Sequence, residues 1–167
     1  NTAASTVAAS NAVIAGLGRI QALAVREGGI LSPGHASRGT LTASTSSWES
    51  ASSYRWEVRD FAGLAGTDSG WDLFRCLGPL TISATVGNEF TVRVVSVTSG
   101  GTPGAADNFT GAGTTQILAH AQSVAGFATN FFALDLTGFS NAYNGTWSIA
   151  LLANTNVALV YAPPPGE

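Results

Sequence analysis

The sequence predicts an all-β chain, in which a short parallel β-solenoid-like segment is followed by an antiparallel, jelly-roll-like β-sandwich. Hydrophobic residues make up 45% of the 167 residues and charged residues only 10%, a balance that favours a folded chain over a disordered one. Glycine occurs 20 times, beside abundant Ser, Thr, Ala and Asn, and this mixture suits short strands and tight turns. Short apolar runs recur between turn residues along the whole chain.

Residues 1–45 contain no aromatic residue, and their apolar residues come in short runs that end at Gly, Asn or Pro-Gly. The runs are TVAA, AVIAGLG, IQALAV, GGILSPG and GTLT. Strands with small side chains stack closely in a parallel solenoid, with turns at each corner. A second interpretation is that TAASTVAASNAVIA is a donor strand that inserts into the sheet of a neighbouring copy. Both interpretations predict contact between copies of the chain.

Residues 46–162 carry longer strands with aromatic residues, and we predict that they form the sandwich. Tyr54, Trp56 and Val58 alternate with charged residues, which indicates a half-buried strand. WDLFRCL, LTISATV, FTVRVVSV, FFALDLTGF, GTWSIALLA and VALVYA are further predicted strands. GNE, between two of them, is predicted to form a hairpin turn, and TTQILAHAQSVAGF is either a helix or a strand. The tail, residues 163–167, is PPPGE and is predicted to be extended.

Residues 12–42, AVIAGLGRIQALAVREGGILSPGHASRGTLT, resemble the autotransporter-associated β-strand repeat of large bacterial secreted surface proteins. The resemblance is carried by Gly16, Gly18, Ile20, Gly28, Gly29, Leu31, Pro33, Gly34, Ser37, Gly39, Thr40, Leu41 and Thr42. Arg38 stands where that repeat usually has proline. Residues 54–85 are similar to the segment that closes such proteins before a sorting tail of the PEP-CTERM type. The resemblance implies a bacterial protein that is secreted to the extracellular space or the cell surface.

Composition and charge indicate which kinds of partner the chain has. The seven basic residues are all Arg and are scattered, and the net charge is -3, so we do not expect a nucleic-acid partner. No apolar run is long enough to span a membrane, and NTAASTVAAS is typical of a chain left after signal-peptide cleavage. A surface with few charges favours burial against other subunits.

We therefore predict a non-enzymatic structural protein whose partners are copies of itself, joined through β-edge or strand-exchange contacts into an extracellular filament, sheath or surface layer. The predicted assembly residues are Thr6, Val7, Val13, Ile14 and Trp48. Trp48 is included because its neighbours, STSSWESASS, are polar, which predicts an exposed indole at a contact or in a binding patch.

The alternative prediction is a carbohydrate-binding or adhesin module that takes cell-surface polysaccharide as its partner. Trp48, Trp71 and Tyr143 are its candidates for stacking on sugar rings. A third hypothesis is a polysaccharide lyase or hydrolase on a β-helix scaffold. Asp68-Ser69-Gly70 is similar to a serine-protease nucleophile loop, but the chain lacks the rest of that fold, so we expect no catalytic residue.

We predict no cofactor, with calcium as the one alternative. Asp60, Asp68 and Asp72 lie in a Gly-rich stretch and carry the oxygen ligands that calcium prefers. Asp in such a stretch more often caps its own turn. Asn108 and Asn144 begin Asn-x-Thr sequences in predicted loops, and the sequence leaves open whether they are glycosylated.

Overall fold

The computed structural model describes residues 5–34 and 36–166, where regular structure consists of β-strands and one 3₁₀ helix, Thr129–Phe131. The strands are β1 Ser5–Ala8, β2 Val13–Gly16, β3 Arg19–Val25, β4 Ile30–Pro33, β5 Thr40–Glu49, β6 Ser53–Val58, β7 Leu73–Ser83, β8 Phe90–Ser96, β9 Thr114–Ala125, β10 Phe132–Gly138, β11 Thr146–Leu152 and β12 Asn156–Ala162. The predicted boundary between residues 45 and 46 falls inside β5, and the ambiguous segment TTQILAHAQSVAGF contains strand β9.

The chain alternates between two sheets as it advances from β1 to β10. A seven-stranded sheet, the large sheet, has the order β1-β3-β5-β7-β9-β12-β11, and a five-stranded sheet, the small sheet, has the order β10-β8-β6-β4-β2. Every pairing in the small sheet is parallel, as is every pairing from β1 to β9 in the large sheet. Each odd strand and the even strand after it therefore form one coil, and five coils stack along a common axis.

The predicted antiparallel sandwich is wrong, because the strands of residues 46–138 pair in parallel. The GNE turn shows why. It joins β7 to β8, which lie in different sheets rather than in one hairpin. A turn sequence between two strands of alternating apolar and polar residues can form either a hairpin within one sheet or a corner between two sheets. The local pattern therefore does not specify strand direction. Antiparallel pairing occurs at the end of the large sheet, where β12 pairs with β9 and β11.

The core lies between the sheets and is built from side chains that stack in register from coil to coil. Leu31, Tyr54 and Val92 form one such row in the small sheet, and all three are fully buried. The facing row in the large sheet joins Val25, Trp48 and Ile82. Stacked rows of this kind make each coil depend on its neighbours for burial.

Trp48 is 0% exposed, so its predicted position at a subunit contact or binding patch is wrong. Its ring stacks on Phe90, with the ring centres 4.6 Å apart and the planes 4° from parallel. The polar neighbours that suggested exposure are small, and Ser46 is itself buried, with its hydroxyl donating to the Leu23 carbonyl at 3.0 Å. Serine can be buried beside tryptophan because a backbone acceptor satisfies its hydroxyl.

The two corners of the coils differ in length. The corner from the large sheet to the small sheet, the short corner, consists of residues 9–12, 26–29, 50–52, 84–89 and 126–131. The opposite corner, the long corner, contains residues 17–18, 34, 36–39, 59–72, 97–113 and 139–145. The long corner therefore holds most of the connecting chain and most of the polar side chains that meet outside the sheets.

Candidate assembly edge

The first coil, β1 and β2, lies at one end of both sheets. β1 pairs with β3 and β2 pairs with β4, both in parallel, and within the described ranges no strand pairs with their opposite edges. Thr6 and Val7 lie on β1, and Val13 and Ile14 lie on β2, so the first coil contains four of the predicted assembly residues. The segment interpreted as a donor strand spans residues 2–15, of which residues 2–4 lie outside the part of the chain that the structure describes. Its strands, β1 and β2, pair with the chain's own sheets.

The first coil presents apolar side chains to solvent at this end. Val7 and Val13 are 42% and 55% exposed, and Leu17, just after β2, is 60% exposed. Ile14 instead packs against the buried core. A strand edge with free N–H and C=O groups and exposed apolar side chains is a template for pairing with another strand.

Backbone hydrogen bonds along the short corner hold the first coil in place. Ser10 and Asn11 adopt positive φ angles of 51° and 69° and donate their N–H groups to the carbonyls of Glu27 at 2.9 Å and Gly28 at 2.8 Å. Gly28 in turn donates to the carbonyl of Ala51 at 2.8 Å. Asn and Gly tolerate positive φ better than other residues, so the turn residues of the sequence favour this stacked corner.

Gly29 provides a test of how tightly the first coil is held. A β-carbon at Gly29 would lie 2.2 Å from the Ala8 carbonyl oxygen, whereas one at Gly18 would meet no atom within 4 Å. We expect Gly29→Ala to displace β1 and to speed amide hydrogen exchange in β1 and β2, since backbone cannot yield as a side chain does. Gly18→Ala is the matched control and should leave exchange unchanged. Equal exchange in the two variants would contradict the close packing.

At the other end, the large sheet ends at β11 and the small sheet at β10. β11 is antiparallel to β12, and β12 is antiparallel to β9. Two reversals restore the original direction, so β11 runs parallel to β1. Leu152, at the end of β11, is 38% exposed. The two ends of the large sheet therefore present strands of the same direction.

The three acidic residues considered for calcium have separate roles. Asp60 caps its own turn, accepting from the Ala62 N–H at 2.8 Å and from the Asn108 side-chain amide at 2.7 Å. Asp68 forms ion pairs with Arg38 and Arg59 at 2.5 and 3.3 Å. In the part of the chain that the structure describes, no group of three or more His, Cys, Asp or Glu residues is arranged to hold a metal ion.

Asp72 links the two sheets from a fully buried position. Its Oδ1 accepts from the Gly39 N–H and its Oδ2 from the Glu57 N–H, both at 3.0 Å. Gly39 precedes β5 in the large sheet, and Glu57 lies on β6 in the small sheet. Burial raises the pKa of Asp72 to about 8, although the two N–H donors and the Arg38 guanidinium act in the opposite direction.

The sequence predicts no role for Arg38, which is 5% exposed and forms the ion pair with Asp68 across the long corner. Its Nε also donates to the Asp68 carbonyl at 3.1 Å. The departure from proline at this position of the repeat motif was the available clue, because a charged residue there needs a partner.

The sugar-stacking candidates differ in exposure. Trp48 and Trp71 are buried, at 0% and 9% exposure, while Tyr143 is 42% exposed. Tyr143 lines a shallow groove of about 370 Å³ with Phe109 and Asn144. Of the three candidates, Tyr143 alone presents a ring to solvent.

No family model matches the chain, and no curated protein does either. The likeness to autotransporter-associated repeats therefore rests on the sequence motifs. Within the described residues, none of the helical structure has the length and apolar character needed to cross a bilayer.

Proposed function

We propose that this is a secreted structural protein that self-associates through the strand edges at the ends of its sheets, forming an extracellular filament, sheath or surface layer. The observation that supports the proposal is the first coil, where β1 and β2 carry edges that no described strand covers. The exposed Val7 and Val13 lie on these strands. Secretion is part of the proposal because of the resemblance to bacterial surface proteins.

Strand direction supports head-to-tail contact. Because β11 and β1 run the same way, a second copy stacked by translation would pair its β1 with β11 in parallel and continue the large sheet. Such a contact joins two different surfaces, so it builds an open filament unless the rotation between copies closes a ring. Backbone hydrogen bonds would provide the affinity, and burial of the valines would add to it.

The test is to place a charge on the edge. We expect the full chain to form oligomers or fibres, and Val7→Lys and Val13→Lys to be monomeric, because a lysine at an edge disfavours strand pairing. Light scattering coupled to size exclusion gives the mass, and negative-stain microscopy shows the particle. Neither valine is in the buried core, so the variants should fold.

Val86→Lys is the matched control. Val86 is 64% exposed and lies in the short corner between β7 and β8, away from both ends of the stack. This variant should assemble as the unmodified chain does. A monomeric unmodified chain at high concentration, or normal assembly of both edge variants, would overturn the proposal.

A further inference from the structure

A row of polar side chains crosses the outer face of the large sheet at right angles to its strands. The pairings are Arg19 with Thr42, Thr42 with Arg75, Arg75 with His120, and His120 with Asn156. The row therefore crosses five adjacent strands, β3, β5, β7, β9 and β12, without a break. We call these five residues the cationic row.

The basic side chains of the cationic row face solvent. Arg19, Arg75 and His120 are all exposed. The residues on either side of Arg75 in β7, Phe74 and Cys76, are buried at 0% and 2% exposure. Since successive side chains of a strand point to opposite faces, Arg75 projects away from the core.

Charge is unevenly divided over the molecule. The chain has a net charge of -3, yet the described strands of the large sheet contain a single carboxylate, that of Glu49. Glu49 is the last residue of β5, and its charge is neutralised by Arg26, which begins the short corner, at 3.4 Å. Within residues 5–34 and 36–166, neither Arg19 nor Arg75 forms a salt bridge. The outer face of the large sheet is thus cationic in an acidic protein.

Uncharged hydrogen-bonding groups lie beside Arg19 and His120. The Arg19 guanidinium donates to the Ser44 hydroxyl at 3.3 Å, and that hydroxyl donates to the Gln21 side-chain oxygen at 3.3 Å. His120 Nδ1 lies 2.7 Å from the Asn156 amide oxygen. These contacts orient the basic groups, and the hydroxyls and amides offer partners for the hydroxyl groups of a ligand.

We propose that the cationic row binds an extended acidic polysaccharide lying across the strands. Adjacent strands are about 4.8 Å apart, so Arg19 and Arg75, two strands apart, are separated by about 10 Å. An extended sugar chain with a carboxylate or sulfate on every ring or every second ring can present its anions at such intervals. A flat surface with only a few cations suits an acidic polysaccharide better than a nucleic acid. Binding of a nucleic acid depends on many phosphate contacts.

This inference is independent of the proposed self-association. The row lies on the outer face of the large sheet, whereas the assembly edges are those of β1 and β11. The assembly variant Val13→Lys, on β2 of the small sheet, should retain polysaccharide binding. If self-association is lost, polysaccharide binding can still be measured, and the reverse also holds.

The experiment measures binding of the full chain to polygalacturonate by isothermal titration calorimetry at low salt. We expect Arg75→Gln and Arg19→Gln each to weaken binding about tenfold, because each removes a charge-assisted contact. Added salt should weaken binding further. Arg93→Gln is the matched control, since Arg93 is exposed on the outer face of the small sheet, where Asp135 pairs with it in register.

Neutral dextran and duplex DNA complete the design. Dextran should not bind, and DNA should bind at least tenfold more weakly than polygalacturonate. The proposal is overturned if polygalacturonate fails to bind, if Arg93→Gln weakens binding as much as Arg75→Gln does, or if dextran or DNA binds as tightly. Circular dichroism of the three variants should match that of the unmodified chain, because all three side chains are exposed.

Discussion

Trp48→Ala is expected to lower the free energy of unfolding by about 3–5 kcal/mol, the cost of removing a large buried aromatic side chain. Trp48 is fully buried and lies against three rings: Phe90 at 4.6 Å, Tyr54 at 5.7 Å and Phe74 at 5.8 Å between ring centres. These rings come from both sheets, so the cavity would open at the centre of the stack. Denaturation in guanidinium chloride measures the change.

Tyr143→Ala is the control for this prediction. Tyr143 is 42% exposed and its ring contacts Phe139, Trp147 and Tyr161, so its removal should cost clearly less than that of the fully buried Trp48. Similar losses in the two variants would contradict the buried position of Trp48.

Stability is expected to fall as pH rises from about 4 to about 8, because of Asp72. Burial raises its pKa from 3.8 to about 8, so the folded protein holds this proton more tightly than the unfolded chain does. The stabilisation is complete below the unfolded pKa and is lost as pH rises through the folded pKa. A shift of this size corresponds to as much as about 6 kcal/mol. Guanidinium chloride denaturation at a series of pH values measures it.

Asp72→Asn is the control for the pH dependence. The amide does not titrate, so the variant's stability should be nearly constant between pH 4 and pH 8. It should also be less stable than the unmodified chain at pH 4, because its NH₂ group would face the N–H of Gly39 or Glu57. Stability of the unmodified chain that increases over this range would contradict the prediction.

Sequence reasoning succeeded where the determining interactions are local. The alternation of Tyr54, Trp56 and Val58 with charged residues indicated one buried face, and the structure places these three side chains in the core on β6. A strand's two faces follow from a repeat of two residues, which a single segment contains. Thr6, Val7, Val13 and Ile14 lie together in one short coil, and their part in assembly stays a prediction.

Sequence reasoning failed where the determining partner is distant. Strand direction depends on which segment pairs with which, and GNE gave no indication that β8 would join β6 rather than β7. The interior role of Asp72 depends on Gly39, which stacking brings within hydrogen-bonding distance. The alignment of Arg19, Arg75 and His120 depends on the register of strands separated by corners of different lengths. None of these relations leaves a periodic pattern in the chain.

The two corners differ in how much change they can absorb. The long corner ranges from residues 17–18 to residues 97–113, yet the large-sheet strands that follow these two segments, β3 and β9, keep their parallel pairing with β5 and β7. Additional residues can therefore be carried on that side without shifting the sheets, as in a scaffold that displays foreign peptides. The short corner varies much less, from three to six residues, and backbone hydrogen bonds join several of its successive turns. Sequence diversification, whether by evolution or by engineering, is thus directed to a single side of this molecule.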